Sequence, residues 1–248
     1  MSGMSQPLLE VADLRFTYPD GAVALRGVSF TMTRGERVGL VGPNGSGKST
    51  LLLCLSGLAF GEGTVRIEGV ELTEKSTQQL RGRIGLVFQS PDDQLFMPTV
   101  ADDLAFGPIN QGLDDAEVQA RVGATADALK LTPMLERAPH HLSMGQKRNA
   151  AIGSVLTMNP ALLLMDEPSS NLDPRARRQL ISVLAELGTT LLIASHDLAL
   201  IGRLCERVLL IDGGQIIADG PTRQLLADAE LMERHGLEAW TETMGART

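Results

Sequence analysis

The chain has 248 residues, of which 43% are hydrophobic and 21% are charged, a balance typical of a soluble globular protein with a sizeable core. Its formal net charge of −8 argues against broad binding of nucleic acid or anionic lipid, because either needs a basic face. No run approaches the roughly 18 consecutive apolar residues of a spanning helix. Residues 1–7 show no basic segment leading into an apolar one, so no secretory signal is expected. Any membrane association is therefore expected to pass through a protein partner.

The N-terminal part of the chain carries strand and turn signals. Residues 9–17 and 28–33 alternate loosely between apolar and polar side chains, which predicts a small antiparallel sheet. Tyr18, the only tyrosine, opens the turn between them. Its ring stands where it could stack on a purine base or close the strand end as a half-buried aromatic. The residues alone leave both interpretations open.

A phosphate-binding motif follows at residues 42–50, where GPNGSGKST matches G-x-x-x-x-G-K-[ST]. A short apolar strand at 37–41 precedes it and an apolar helix at 51–55 follows, which is the context that the motif requires. Glycines let backbone N–H groups crowd around phosphate oxygens, and the new helix points its positive end at them. We expect Lys48 to reach the β- and γ-phosphates and Ser49 to ligate Mg²⁺. The predicted nucleotide-binding residues here are Gly42, Pro43, Asn44, Gly45, Ser46, Gly47, Lys48, Ser49 and Thr50.

Strand signals continue as far as Gln89. Residues 64–69 alternate between apolar and polar side chains, and residues 84–88 form a short apolar run, so both are predicted strands. Ser76 and Gln79 have the spacing of a capping box, which predicts a short helix between the two strands.

Residues 91–159 lose the strand signals and are interpreted as a helical insertion. Thr99 is expected to cap a helix that runs through Phe106 and is broken by Gly107 and Pro108. Apolar residues recur at helical spacing between 118 and 129, which predicts an amphipathic helix.

A buried strand at 161–165 ends in Asp166 and Glu167. Open α/β sheets place their ligands at such strand ends, and a phosphate-binding loop lies upstream. Asp166 is then suited to hold Mg²⁺ with Ser49, and Glu167 to orient or activate an attacking water. Without that context the pair would be interpreted as a solvated turn.

The remaining elements complete an α/β pattern. Asp173 and Pro174 have the order of a helix cap and first-turn proline. The other predicted elements are a strand at 189–194, a hairpin at 208–218, one or two short helices beyond 220 and a loose tail at 244–248. The fold class is therefore a P-loop NTPase core with a mostly parallel central sheet, an N-terminal antiparallel β subdomain and an inserted α-helical subdomain. The expected domains are a core at 1–90 and 160–220, the helical subdomain at 91–159 and a short helical tail at 221–248.

A second helix tip with phosphate-binding character begins at Ser143. Ser143 and Gln146 form a predicted capping box that opens a helix through Met158, and Gly145 lies in its first turn. A helix N-terminus of this kind is an anion site. Because residues 42–50 already supply one site in the chain, this tip is expected to reach the nucleotide of another copy.

Two other stretches contain residue types found in catalytic triads or metal sites. Ser195, His196 and Asp197 are hydrolase-triad residue types, but neighbours on an extended chain point to opposite faces and cannot form a relay. His140 and His141 lack a third metal ligand and are interpreted as a polar loop. The two cysteines, Cys54 and Cys205, lie in apolar surroundings and are expected to be buried thiols.

Taken in order, these motifs resemble the ATPase subunit of an ATP-binding-cassette transporter over about residues 8–220. The matching features are the phosphate loop, Gln89, the LSMGQ stretch at 142–146, the Asp166-Glu167 pair, the SNLD turn at 170–173 and His196.

The resemblance implies a role for each matching residue. Tyr18 would stack on adenine, and Gln89 would sense Mg²⁺ and the attacking water. Ser143 and Gly145, with Gln146 in the same motif, would contact the γ-phosphate held by a partner subunit. Asp173 would lie at the dimer interface, and His196 would hydrogen-bond the γ-phosphate. Lys48, Gln89, Glu167 and His196 would thus be the catalytic residues, with ATP and Mg²⁺ as cofactors.

One residue departs from the family pattern, because Met144 stands where glycine is usual. Ser143 and Gly145 remain, so phosphate contact is expected to survive. A bulky side chain at the closing interface could nevertheless alter dimer closure.

Two further stretches narrow the resemblance. Residues 88–96 (FQSPDDQLF) and 106–110 (FGPIN) look like those of energy-coupling-factor importers, and residues 166–173 resemble the cobalt and nickel uptake members. This implies an ATP-hydrolysing subunit that powers micronutrient import, with cobalt or nickel as cargo. The alternatives are vitamin uptake by the same type of importer and a soluble ATPase of the superfamily outside transport. A small-molecule phosphotransferase would have no use for the 142–146 motif.

The implied partners are a second identical chain, a transmembrane coupling protein and a substrate-binding membrane subunit, with no nucleic acid and no direct contact with the transported ion. The implied location is peripheral, on the cytoplasmic face of the cell (inner) membrane. Asp92 and Asp93 are expected to present an acidic groove to basic residues on cytoplasmic helices of the membrane protein. A solvated acidic loop is the alternative for these two residues.

Overall fold

The computed structural model of the chain describes residues 6–80 and 82–241, so the tail predicted at 244–248 lies outside the described residues. The strands are β1 (Leu9–Thr17), β2 (Val23–Met32), β3 (Arg37–Val41), β4 (Glu62–Ile67), β5 (Val70–Glu71), β6 (Ile84–Val87), β7 (Leu162–Asp166), β8 (Thr190–Ala194), β9 (Arg207–Asp212) and β10 (Gln215–Pro221). The helices are α1 (Lys48–Leu55), α2 (Thr77–Leu80), α3 (Val100–Asn110), α4 (Asp115–Ala128), α5 (Met144–Leu156), α6 (Pro174–Glu186), α7 (Leu198–Leu204), α8 (Thr222–Ala227) and α9 (Ala229–Arg234). Short 3₁₀ turns lie at Pro91–Asp93, Thr132–Met134 and Pro139–His141.

The central sheet has the strand order β10-β9-β3-β8-β7-β6, and all neighbouring pairs are parallel except β10 with β9. This confirms the predicted mostly parallel sheet. Parallel strands end at the same edge, so the segments that follow β3, β7 and β8 come together there. Those segments are the phosphate loop, the turn that begins at Glu167 and the turn that contains His196.

A second sheet, of order β2-β1-β4-β5, is antiparallel and confirms the predicted N-terminal β subdomain. Its apolar side packs against α1, which lies between the two sheets: Leu9, Leu25 and Ile67 share one buried cluster with Leu51 and Leu55. Helix α1, which begins at the phosphate loop, is therefore held in place by a sheet on each side.

Strand β7 shows how the central sheet divides the core. Leu162 and Leu164 pack with α1 and the antiparallel sheet, whereas Leu163 and Met165 pack with the helices on the opposite face. The alternation follows from the period of two along a strand. Because both faces are covered, β7 is apolar throughout before it reaches Asp166.

Helices α3, α4 and α5 occupy most of the segment between β6 and β7, as the sequence predicts. Thr99 caps α3 by accepting a hydrogen bond from the N–H of Asp102. The predicted break at Gly107 and Pro108 is wrong, since α3 continues to Asn110. Gly107 lies so close to Met158 that a Cβ atom would be 2.5 Å from its Cγ, and Pro108 is buried, so packing onto neighbouring elements outweighs the hydrogen bond that proline removes.

The short helix predicted to open at Ser76 is confirmed as α2, but the capping box predicted between Ser76 and Gln79 is wrong. Thr73 and Ser76 make the reciprocal bonds instead: the N–H of Ser76 donates to Thr73 Oγ1 at 3.2 Å, and the N–H of Thr73 donates to Ser76 Oγ at 2.8 Å. The Ser76 hydroxyl also donates to the carbonyl of Glu71, which turns it back towards β5. A tertiary contact with the preceding strand therefore decides the register of this turn.

Both cysteines are buried free thiols, as expected. Burial raises the pKa of Cys54 to about 11 and that of Cys205 to about 12, so neither is a reactive thiolate at neutral pH. Within the described part of the chain, no group of three or more His, Cys, Asp and Glu side chains has the arrangement of a metal site.

Candidate active site

The phosphate loop has a conformation that only its glycines permit. Gly45 and Gly47 adopt φ angles of 77° and 106°, and Gly47 ends the loop as the residue before α1. A Cβ atom on Gly42 would lie 2.0 Å from the carbonyl oxygen of Ile211. The loop is thus folded tightly against β9 before any ligand is considered.

Lys48 lies at the start of α1 and is only 7% exposed. Its Nζ donates to the carbonyls of Gly42 and Pro43 at 2.8 and 3.0 Å. Burial lowers the pKa of this amine, while the carboxylates of Glu167 and Asp166 oppose that shift. The ammonium group is therefore held at the loop, close to the acidic pair, before a phosphate is bound.

A cavity of about 700 Å³ opens above the loop, a size suited to a nucleotide. Most of the nucleotide-binding residues predicted from the sequence around the phosphate loop line it, together with Tyr18, Gln89, Asp166, Glu167 and His196. Thr50 is among the lining residues, whereas Ser46 is not. Ser46 is instead buried at 3% exposure beneath the loop.

Tyr18 lies at the rim of this cavity. Its hydroxyl is 2.9 Å from Thr50 Oγ1, and its ring meets the edge of Phe16 at a centroid distance of 5.0 Å. The side chain is 38% exposed, so one part of it is anchored while another faces the cavity. This placement fits an aromatic platform for a base, and that role stays a prediction.

Asp166 ends β7 beside the phosphate loop and accepts a hydrogen bond from Ser49. Burial raises the pKa of Asp166, and the charge of Glu167 adds to the rise, while Ser49 and Lys48 oppose it. Its Oδ1 atom is buried and has no hydrogen-bond partner. A hydroxyl, a carboxylate with an orphaned oxygen and the amide of Gln89 in the same cavity are hard oxygen donors, which fit Mg²⁺.

Glu167 follows Asp166 in a left-handed conformation, with φ of 46°. The side chain is held by the turn after β8: Ser195 Oγ donates to Oε2 at 2.9 Å, and the N–H of His196 donates to Oε1 at 3.0 Å. The His196 ring Nδ1 lies 2.9 Å from Oε2. A strained backbone that places a buried carboxylate in a cavity is typical of functional sites.

The same contacts describe the Ser195-His196-Asp197 stretch. Ser195 bonds to Glu167, whereas Asp197 pairs with Arg177 and accepts a hydrogen bond from Ser169. The His196 side chain is 67% exposed and reaches Glu167. Ser195 and His196 therefore share Glu167, whereas Asp197 pairs with Arg177, so the three side chains do not form a Ser-His-Asp relay.

The second helix tip has the capping box that the sequence predicts. The N–H of Gln146 donates to Ser143 Oγ at 3.4 Å, and the N–H of Ser143 donates to Gln146 Oε1 at 2.9 Å. Ser143 and Met144 are exposed, and α5 ends at Leu156 rather than Met158. Among the described residues that line the cavity, none belongs to this tip, so Ser143, Gly145 and Gln146 do not join the site of their own chain.

Sequence reasoning missed Arg148, which is 1% exposed on α5. Its guanidinium donates to the carbonyls of Phe88 and Gln89 at 2.9 and 2.7 Å. The available signal was a basic residue two positions before the apolar run at 150–152, on the face of the helix that the core covers.

The C-terminal segment at residues 235–240 also contributes to the site, although no sequence motif predicts this. Gly236 and Leu237 line the cavity. His235 Nδ1 lies 2.8 Å from Asp212 Oδ2, and Trp240 packs so closely on Gly202 that a Cβ atom there would be 2.1 Å from the ring. Two anchors thus bring the tail to the nucleotide cavity.

Comparisons with known proteins agree with this geometry. The family model described as "ABC transporter" matches residues 25–170. A putative ABC transporter ATP-binding protein of Streptomyces avermitilis is 51% identical over 95% of this chain and 90% of its own length. The energy-coupling factor transporter ATP-binding protein EcfA of Methanothermobacter thermautotrophicus is 44% identical over 93% of this chain and 76% of its own length.

Two solved structures extend the similarity. The structure of cbiO1 from Clostridium perfringens, part of the ABC transporter complex cbiONQ, superposes with a TM-score of 0.82 at 32% identity and covers 98% of this chain and 99% of that one. A dimeric ATP-binding cassette in a post-hydrolysis state, bound to ADP and Pi, has a TM-score of 0.77 at 26% identity and covers 87% of this chain and 99% of that one.

Proposed function

The chain belongs to the ABC transporter family of ATP-binding proteins, and we propose that it is the ATPase of an energy-coupling-factor importer, working as a homodimer on a membrane partner. The observation that carries the proposal is the division of the site. The cavity gathers the phosphate loop, Asp166, Glu167 and His196 within one chain, while the Ser143 tip lies outside it. A second copy placed head-to-tail supplies the missing tip.

Binding of ATP follows from the loop. Backbone N–H groups of the loop and the N-terminus of α1 surround the phosphates, and Lys48 moves its Nζ from the Gly42 and Pro43 carbonyls to the β- and γ-phosphate oxygens. Tyr18 at the rim stacks on the adenine.

Mg²⁺ would be held by Ser49 and Asp166, with Gln89 lining the same cavity, and would neutralise charge on the phosphate oxygens. Glu167 orients the attacking water and accepts its proton as the water oxygen bonds to the γ-phosphorus and the bond to the β-phosphate oxygen breaks. Ser195 and the backbone of His196 keep the carboxylate in place, and the exposed His196 ring reaches the γ-phosphate.

Homodimer formation is supported by the tip and by the dimeric relative. The Ser143 tip presents an exposed helix N-terminus, which stabilises developing negative charge on a partner's γ-phosphate. The solved cassette bound to ADP and Pi is dimeric. A monomer of this chain is therefore expected to bind ATP and to hydrolyse it poorly.

A groove on the helical side offers a docking site for the transmembrane coupling protein. It has a volume of about 550 Å³, and Phe96 and Phe106 lie on its wall with 66% and 43% exposure. Asp92 and Asp93 are exposed at the adjoining turn, and Asp92 is paired with Lys147 at 2.5 Å. An amphipathic cytoplasmic helix with basic residues matches this apolar and acidic surface, since it would bury the rings and compete with Lys147 for Asp92.

Cobalt or nickel is the cargo we propose, because the chain superposes on cbiO1, which is part of the ABC transporter complex cbiONQ, and because residues 166–173 resemble the cobalt and nickel uptake members. Vitamin import by the same type of transporter is the alternative. None of the helices in residues 6–80 and 82–241 combines the length and apolar character needed to cross a bilayer. We propose that the chain lies peripherally on the cytoplasmic face of the cell membrane. The membrane subunits, rather than this chain, would contact the cargo.

The test is reconstitution with the membrane proteins that co-purify from detergent-solubilised membranes. Proteoliposomes that contain the complex are expected to accumulate radioactive Co²⁺ or Ni²⁺ only with ATP on the side of this chain. A complex with Glu167→Gln is the matched control and should not accumulate the ion. Uptake of a vitamin instead would redirect the cargo, and absence of any membrane partner would remove the transport function.

A further inference from the structure

Arg148 is the largest fully buried side chain in the described structure and is a charged one. Helices α3, α4 and α5 form the helical block, and Arg148 lies on the buried face of α5, five positions after the Ser143 cap. Burial lowers the pKa of its guanidinium, and no carboxylate among the described residues contributes to the shift. A buried cation without an acidic partner is costly to the fold, so its hydrogen bonds must compensate for that cost.

The partners of Arg148 are backbone carbonyls from two loops of the active site. Nη1 donates to the carbonyl oxygen of Phe88 at 2.9 Å, and Nη2 donates to the carbonyl oxygen of Gln89 at 2.7 Å. Nη2 also approaches the oxygen of Ser170 at 3.5 Å. The first two belong to the segment that carries Gln89, and the third belongs to the turn that follows Glu167.

One side chain therefore joins three parts of the molecule: the helix whose tip lies outside the chain's own cavity, the Gln89 segment and the turn after Glu167. A shift of α5 would move the two carbonyls at Phe88 and Gln89 with it, because the planar guanidinium fixes the direction of both hydrogen bonds. The buried Nε of Arg148 has no hydrogen-bond partner. The guanidinium is therefore oriented towards the loop carbonyls, although this leaves one of its buried donors without a hydrogen bond.

We propose that Arg148 is a positioning residue that couples the two nucleotide sites of the dimer, by transmitting the engagement of the α5 tip on the partner's nucleotide to Gln89 of its own site. The inference rests on the proposed homodimeric ATPase function. It assigns to Arg148 an effect on turnover and on cooperativity between sites, and no contact with ATP.

A second contact between α5 and the same segment supplies a contrast. Gln94 accepts from the N–H of Phe88 at 3.2 Å and donates to Ala151 O and Ser154 Oγ at 2.6 and 3.0 Å. This contact secures the packing of α5 on the end of β6 but does not reach Ser170. The fold therefore retains an attachment at this place when Arg148 is shortened, which makes the substitution informative.

The test uses the full-length chain in its membrane complex and compares Arg148→Lys, Gln89→Ala, the double variant and Asn149→Ala. Asn149 is the matched control, because it is the next residue on α5 and its amide donates to the carbonyl of Leu129 inside the helical block. Lysine keeps the charge but cannot hold two carbonyls in a fixed plane. For each variant, melting temperature, ATP affinity, kcat, KM and the Hill coefficient for ATP are measured.

Arg148→Lys is expected to keep ATP affinity and KM, to lower kcat by about tenfold, and to bring the Hill coefficient towards one. In the Gln89→Ala background the same substitution should change kcat by no more than about twofold, because Arg148 acts through Gln89. Asn149→Ala should leave the Hill coefficient unchanged. Independent, multiplicative effects of the Arg148 and Gln89 substitutions, or an equal loss of cooperativity with Asn149→Ala, would overturn the proposal.

If Arg148→Lys melts below the assay temperature, Arg148→Met replaces it, since methionine keeps length and removes the donors. The same non-additivity with Gln89→Ala is then required, and additivity again overturns the proposal. Wild-type and Glu167→Gln complexes in the same assay decide the proposed ATPase function separately. Additive effects among active variants would overturn only the role of Arg148.

Discussion

The phosphate loop and the Ser143 tip both lie at N-termini of helices, yet the loop is enclosed by its own chain and the tip is exposed. The loop is enclosed by its own chain: Gly42 is pressed against β9, and Lys48 is bonded to loop carbonyls. The Ser143 tip is capped but open, with Met144 37% exposed, and lies outside the cavity of its own chain. This difference is the basis of the proposal that one chain suffices to bind the nucleotide, whereas hydrolysis needs the Ser143 tip of a second chain.

The substitution Glu167→Gln is expected to have the largest effect on hydrolysis while leaving ATP binding intact. Glutamine keeps the shape of the side chain but cannot accept the proton of the attacking water. We expect ATP binding to persist while turnover falls at least about a hundredfold, or about 2.7 kcal/mol in the activation free energy. Steady-state phosphate release and equilibrium binding of labelled ATP by the complex provide the measurement. Near-normal hydrolysis would remove Glu167 from its role.

A charge at the open tip tests the other side of the comparison. Gly145→Asp places a carboxylate in the first turn of α5, where it would repel the partner's γ-phosphate, so turnover is expected to fall about thirtyfold while the isolated chain binds ATP normally. Gly145→Ala is the control, because its Cβ makes the same 3.0 Å contact with Ala176 without the charge. A large loss of ATP affinity in the isolated Gly145→Asp chain would place the tip in the chain's own site.

Met144→Gly measures how much the unusual residue at the tip matters. The side chain is exposed and the capping box uses Ser143 and Gln146, so the proposed phosphate contact is expected to survive without the Met144 side chain. ATPase rate in the intact complex is expected to change by less than about tenfold, or about 1.4 kcal/mol. A greater change would show that this position controls dimer closure.

The smallest effect concerns the groove side of the helical block, where Asp103 is 2% exposed and its Oδ2 lacks a partner. Burial raises the pKa of this carboxyl, although the N–H groups of Phe96 and Met97 oppose the rise. The folded state then binds the proton more tightly than the unfolded chain, so the free energy of unfolding falls as pH rises from the unfolded pKa through the folded one.

Asp103→Asn keeps an acceptor for the N–H groups of Phe96 and Met97 and removes the free-energy cost of burying a charged carboxylate. We expect the free energy of unfolding at pH 7 to rise by about 1 kcal/mol or less, with a weaker decline between acidic and neutral pH. Urea denaturation of the isolated chain at several pH values measures both. Loss of stability at pH 7 would show that the carboxylate, rather than the acid, is the form that the fold prefers.

Much of the fold was predictable because its signals are local. Strand β7 is predicted by an apolar run, and α6 by Asp173 and Pro174, which cap and begin it as expected. The local predictions that were wrong share one cause. At Gly107 and Pro108, and at Ser76, residues have a strong local preference that contacts with other elements outweigh.

The candidate site divides in the same way. Gln89, Asp166, Glu167 and His196 stand at the ends of predicted strands, so the sequence indicates that they converge at one edge of a sheet. Arg148 and the Gly236-Leu237 turn have no such signal, because their roles depend on which carbonyl or cavity lies opposite them.

The sequence by itself therefore determined the phosphate loop, the acidic pair and the capping of the Ser143 tip, since these depend on backbone freedom and hydrogen bonds that span a few residues. Only the tertiary structure decided that Ser143 and Gly145 lie outside the cavity, that Arg148 joins α5 to the Gln89 segment, and that the tail reaches the nucleotide cavity. Those facts depend on the packing of helices onto the sheet, which sums many weak contacts between residues far apart in the chain.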